Sequence, residues 1–189
     1  RCAVEDFDAP TEQITDITPL LYQSGYITIK DYSRYSKVYT LDVPNREVRM
    51  GLAKSLLVNY VKRPAELRTL VGDMAEMLLT EDMDGALRLM QEVLSTVPYC
   101  DNTHYEGHYQ QMLYLIFTML GYYVDVEVHT PRGRVDIVLR TRHRLYVMEL
   151  KINSSADTAM GQIDLKKYGK RFALCGLPIV KVGINFDTE

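Results

Sequence analysis

Residues Gly133 to Lys151 read GRVDIVLRTRHRLYVMELK. Two runs of aliphatic and β-branched residues flank the polar stretch Thr141-Arg142-His143-Arg144, the pattern of a β-hairpin closed by a four-residue loop. With that loop Arg140 faces Leu145, and the pairs continue as Leu139–Tyr146, Ile137–Met148 and Val135–Leu150. One face is then wholly apolar, as a buried sheet face must be, and a slip of one residue would destroy the match. The same register sets Asp136 directly across from Glu149. Lys151 follows two residues later and projects from the same face as Glu149.

That placement has chemical consequences. Opposed strand residues have Cβ atoms roughly 4.5–5.5 Å apart, where like charges repel. Two carboxylates so placed share a proton or hold a cation between them. Hard carboxylate oxygens suit Mg²⁺, with Mn²⁺ as a substitute. A neighbouring ammonium can orient a water or stabilise developing negative charge in phosphodiester hydrolysis. Taken alone, Asp followed by Glu-x-Lys is a weak motif that more often marks a solvated strand face.

Working outward, the apolar periodicity predicts a helix over about 104–120, with Tyr105, Tyr109, Met112, Leu113, Ile116 and Leu120 inward and Gly121 ending it. Strands are expected at about 122–129, 134–140 and 145–151, then a helix over 156–173 and a strand at 178–186. The order is αβββαβ, an α+β or α/β core occupying 99–189, with a boundary at Pro98–Cys100. Residues 1–98 read as mainly helical. Thr18-Pro19 starts a short helix that Gly25 stops, and Tyr26–Tyr32 with Val38–Val43 form a hairpin. Asn45 caps a helix to about Val61 with Val48, Leu52 and Leu56 on one face. Two further stripes at 65–80 and 84–97 make a helical hairpin broken at Glu81-Asp82, whose methionines read as core filler. Helix, β-ribbon and helix fit a winged-helix-like segment and, equally, a helical subdomain with a decorative hairpin.

The composition is that of an ordinary soluble domain, 47% hydrophobic and 25% charged over 189 residues. The net charge of −3 arises within residues 1–98, and neither half is basic enough to announce nucleic-acid binding by charge alone. No apolar run approaches the ~20 residues needed to span a bilayer. Cys2, Cys100 and Cys175 are odd in number and scattered, which argues against a disulfide framework or thiolate zinc site and for a reducing, cytoplasmic setting. The Arg-Cys start suggests a piece of a longer protein.

The stretch Gly133–Lys151, with AMGQIDLKKY in the following helix, resembles the PD-(D/E)XK nuclease superfamily. More closely, the chain looks like the C-terminal part of bacterial predicted ATPases that carry such a domain behind an AAA-like one, with LLYQSGYITI and YTLDVPNREVR having counterparts in the joining segment. The resemblance implies a restriction-endonuclease-like core, nucleic acid (DNA foremost) as substrate and an attached ATPase domain. It implies Asp136, Glu149 and Glu106 as metal ligands, Lys151 as the catalytic lysine, and Gln162 supporting the site from its helix. Glu127 matches an acidic residue ahead of Gly133-Arg134. Val135 replaces the superfamily's nominal proline, a departure that leaves the ligands intact. No GxxxxGK[ST] loop occurs in these residues.

Other candidates carry two readings each. Thr103-x-x-Glu106 is also a capping box, and Ser154-x-x-Asp157 a cap for the later helix. His104 and His108 share a helix face, but HYEGH is not HExxH and offers no third zinc ligand. Arg132, Arg134, Lys166 and Lys167 are candidate phosphate contacts, though such residues more often form a solvated face. The expected activity is Mg²⁺-dependent hydrolysis of nucleic acid; the alternative is a non-catalytic docking or regulatory module of a larger ATPase.

Overall fold

The computed structural model describes residues 7, 16–60, 64–95, 106–130, 133–166, 172 and 175–187. Packing divides the chain into two units, residues 1–52 and 53–189. The predicted boundary at Pro98–Cys100 lies outside the described residues.

The first unit holds α1 (Thr18–Gln23), the antiparallel pair β1 (Thr28–Ser33) and β2 (Val38–Asp42), and the start of α2 (Arg46–Tyr60). The helix start differs from expectation in detail. Thr18 is inside α1, and Asp16 Oδ1 accepts its backbone N–H at 2.9 Å. Asn45 caps α2 as expected, its Oδ1 accepting the Val48 N–H at 2.9 Å. Asp42 ties this unit together, pairing with Lys30 at 3.2 Å and Arg49 at 3.1 Å. Those hydrogen bonds, led by Lys30 and the Val43 N–H, hold its carboxyl below the usual value.

In the second unit the buried stripe of α2 is Ala53 and Leu57, while Leu56 is exposed. The predicted stripe was displaced because apolar residues occupy adjoining faces of this helix. α3 (Pro64–Leu79) and α4 (Met83–Ser95) form the expected helical hairpin. Glu81 turns it with φ +63, and Asp82 Oδ1 caps α4 at the Gly85 N–H. Met74, Met83 and Met90 are buried core filler.

α5 (Glu106–Met119) ends at Gly121, φ +80, and buries Met112, Leu113, Ile116 and Phe117. β3 (Tyr123–Thr130), β4 (Gly133–Arg140), β5 (Leu145–Ile152) and β6 (Ile179–Phe186) form one sheet in that order. The first three are antiparallel neighbours; β5 and β6 run parallel, joined through α6 (Ala156–Lys166). This mixed α+β arrangement is consistent with a restriction-endonuclease-like fold. Ser155, one residue later than expected, caps α6 by accepting the Thr158 N–H at 3.0 Å. One apolar cluster packs Ile137, Leu139, Tyr146, Met148 and Leu150 against α3, α4 and α5; a second packs Val138, Leu145 and Val147 against Ile163 of α6. Among the described residues no helix is long and apolar enough to cross a membrane.

Candidate active site

β4 and β5 pair as Arg140–Leu145, Leu139–Tyr146, Val138–Val147 and Ile137–Met148, the register expected from the hydrophobic pattern. The ladder ends there, so Asp136 stands one position beyond its last rung. Asp136 Oδ2 instead accepts the Leu150 N–H at 2.9 Å, and its backbone carbonyl accepts a hydrogen bond from Gln110 Nε2 at 2.7 Å. Val135 departs from expectation. It packs with Val138 and Ile163, not on the Ile137 and Leu150 face, because the strand turns over at Asp136.

Glu149 lies in β5 between two neighbouring strands and is 1% exposed. A buried carboxylate needs donors, and two side chains supply them at Oε1. Lys151 Nζ lies 3.3 Å away, and Gln162 Nε2 donates to the same oxygen from α6. Lys151 also donates to the Leu150 carbonyl at 2.9 Å and lies 3.9 Å from Glu106 Oε1 on the first turn of α5. Its ammonium, on a side chain only 18% exposed, thus sits between two carboxylates. Asp136, Glu149, Lys151, Gln162 and Glu106 come from β4, β5, α6 and α5 to one end of the β4–β5 ladder.

The donor set suits a small hard cation. Among the described residues no group of three or more His, Cys, Asp and Glu side chains is close enough to hold an ion. Glu106 therefore faces Lys151 and does not complete a cluster with Asp136 and Glu149. Mg²⁺ commonly takes one or two carboxylates and fills its remaining positions with waters and phosphate oxygens, so the chemistry of Asp136 and Glu149 suits it.

The other predicted residues are dispersed. Arg134 pairs with Glu127 at 3.3 Å on the surface. Lys166 is the last residue of α6, and its side chain is not described. Arg132, Lys167, Thr103 and His104 lie outside the described residues. His108 makes an edge contact with the Tyr109 ring at 5.4 Å. Sequence reasoning missed two positions. Nothing in the spacing singles out Gln110. Gly183 could have been found, since a lone glycine within the strand pattern IVKVGINF signals close backbone approach.

The part of the chain that carries this arrangement also has known relatives. Residues 104–189 match the family model of the PD-(D/E)XK nuclease superfamily. The PD-(D/E)XK match suggests nuclease activity, and both Asp136 and Glu149-Leu150-Lys151 fall within it. The chain is 31% identical over 179 residues to an uncharacterized protein in the vnfD 5′ region of Azotobacter chroococcum mcd 1. The aligned region covers 90% of this chain and 35% of that relative, so the chain spans about a third of its length. No solved structure matches the chain significantly.

Proposed function

We propose that residues 104–189 are a metal-dependent nuclease domain that hydrolyses phosphodiester bonds in nucleic acid, with DNA as the principal substrate. The observation that carries this reading is the buried Glu149 carboxylate, held by Lys151 and Gln162 beside the end of the β4–β5 ladder, next to which Asp136 stands. Asp136 and Glu149 would hold Mg²⁺, for which Mn²⁺ would substitute. When bound, that ion polarises a phosphoryl oxygen and acidifies a water.

The remaining steps belong to the chain's own side chains. Lys151 presents ammonium protons that can orient the attacking water or stabilise negative charge as it develops on phosphorus-bound oxygen. Gln162 fixes one Glu149 oxygen from α6, which leaves the carboxylate a single orientation. Glu106 holds the Lys151 ammonium from the other side. Arg132, Arg134, Lys166 and Lys167 are the proposed phosphate contacts. Arg134 and Glu127 are both half exposed, and such pairs contribute little, so a phosphate can displace the glutamate. An attached ATPase domain, a winged-helix-like role for the helix–hairpin–helix order of residues 18–60 and a cytoplasmic location complete the proposal; the first rests on the resemblance alone.

The test is incubation of the protein with single- and double-stranded DNA and RNA in Mg²⁺ or Mn²⁺. DNA should be cut by the protein and left intact by Asp136→Ala. Equal activity in the two would end the proposal. Absence of Mn²⁺ uptake by calorimetry would favour a non-catalytic docking or regulatory module.

A further inference from the structure

We propose that Gln110 is a positioning residue: it fixes the main chain at Asp136 and thereby the direction in which the Asp136 carboxylate leaves the sheet. The inference deepens the nuclease reading and rests on it for its functional meaning.

The argument begins with an irregularity shared by two strands. β3 and β4 keep one register from Tyr123–Arg140 to Thr130–Gly133, yet the rung Glu127–Asp136 is missing from it. Glu127 has φ +53, a left-handed conformation that residues with a side chain rarely adopt. Residues two apart in a regular strand share a face, but here they do not. Val124, Ile137 and Leu139 pack in one cluster, whereas Val128 and Val135 pack in the other. Both strands therefore turn over at the same rung, which preserves the register and reverses the faces beyond it.

At that rung the ordinary sheet partners of Asp136 are replaced. Its carbonyl accepts the Gln110 amide from α5 at 2.7 Å, and its Oδ2 accepts the Leu150 N–H from β5 at 2.9 Å. The residue is thus held at two points, its main chain from the helix and its carboxylate from the neighbouring strand. A backbone carbonyl that leaves its ladder needs another donor, and among the described residues Gln110 supplies it. Gln110 is one helical turn beyond Glu106, so a single edge of α5 carries both the carboxylate facing Lys151 and the amide holding Asp136. Without that amide the turned-over rung loses the contact that opposes regular pairing. Regular pairing would carry the Asp136 side chain away from Leu150.

The test uses the intact chain and two variants. Gln110→Met keeps the shape and removes the donor. Gln110→Glu carries a donor only when its carboxyl is protonated. The primary readout needs neither metal nor substrate: hydrogen exchange and the chemical shift of the Leu150 amide, whose acceptor is Asp136 Oδ2. In Gln110→Met that amide should exchange about tenfold faster, with the Leu139 and Tyr146 amides unchanged. In Gln110→Glu, whose ionised carboxylate offers no donor, the same amide should respond at neutral pH as it does in Gln110→Met. The Mn²⁺ affinity of Gln110→Met should fall by a similar factor. An unchanged Leu150 amide overturns the proposal, and so does a uniform rise across β4 and β5, which would mean general destabilisation. Wild-type protein that takes up no Mn²⁺, with Leu150 still responding to Gln110, would refute the nuclease reading while supporting the positioning role.

Discussion

Glu149 of β5 and Gly183 of β6 are register partners in the parallel pair, and the missing side chain at Gly183 is what lets α6 settle over them. A Cβ at Gly183 would fall 2.5 Å from the Ala156 carbonyl oxygen, 2.8 Å from Met160 Cγ and 3.0 Å from the Met160 amide nitrogen. Two of those neighbours are main-chain atoms of α6 that cannot rotate away. The same helix delivers Gln162 to Glu149, so the glycine sets the reach of that contact.

Gly183→Ala should therefore push α6 off the sheet and separate Gln162 from Glu149. Overpacking of this kind destabilises by about 1–3 kcal/mol, which denaturant unfolding would measure. Cleavage should fall further than the loss of folded protein explains, because Glu149 loses a donor. A Gly183→Ala protein as stable and as active as wild type would show that the close approach is unimportant.

The register of the β4–β5 hairpin was legible as far as Ile137–Met148, short of the expected Asp136–Glu149 rung, because two constraints on it agreed. Loop length and the apolar positions each selected the register that pairs Ile137 with Met148, and a slip would have exposed one face. The turned-over rung was not legible. Val124, Val126 and Val128 alternate with polar residues without interruption, so nothing along β3 announces that Glu127 breaks the pattern. The partner that stabilises the break comes from α5, where Gln110 and Gln111 are indistinguishable by spacing. Only packing decides which of them meets the sheet. The side chains that bond the starts of α1 and α6, Asp16 and Ser155, lie two and one residues from the expected positions because several polar side chains compete at each helix start.

Lys151→Met should separate ion binding from chemistry. The ammonium lies 3.3 Å from Glu149 Oε1, where it competes electrostatically with a divalent cation for the same carboxylate. Its removal should leave Mn²⁺ affinity equal to wild type or higher, while cleavage falls by about 10²-fold or more, the scale of a lost charge-stabilising donor. Asp136→Ala should lose both. Isothermal titration with Mn²⁺ alongside a single-turnover cleavage assay checks the pair. If Lys151→Met loses metal affinity as severely as Asp136→Ala, the lysine supports the ion and not the chemistry.

Stability should also decline in alkali for a reason located at the opposite end of the β4–β5 hairpin. Burial pushes the Tyr146 phenol above its ordinary value of 10.0, opposed by the Arg144 guanidinium and aided by the Glu81 carboxylate, whose Oε2 lies 2.7 Å from Arg144 Nε. Burial likewise raises Tyr122, with Tyr146 adding to it. Both phenols are thus kept neutral in the folded chain at pH values where the unfolded chain has begun to ionise. Their contribution is intact below about pH 10 and is lost as pH rises from there through the folded values. Urea midpoints measured from pH 8 to 11 should hold steady and then drop. Tyr146→Phe removes one of the two ionisations, so its midpoint should drop less steeply over the same range. Equal slopes for Tyr146→Phe and wild type would assign the alkaline loss to other groups.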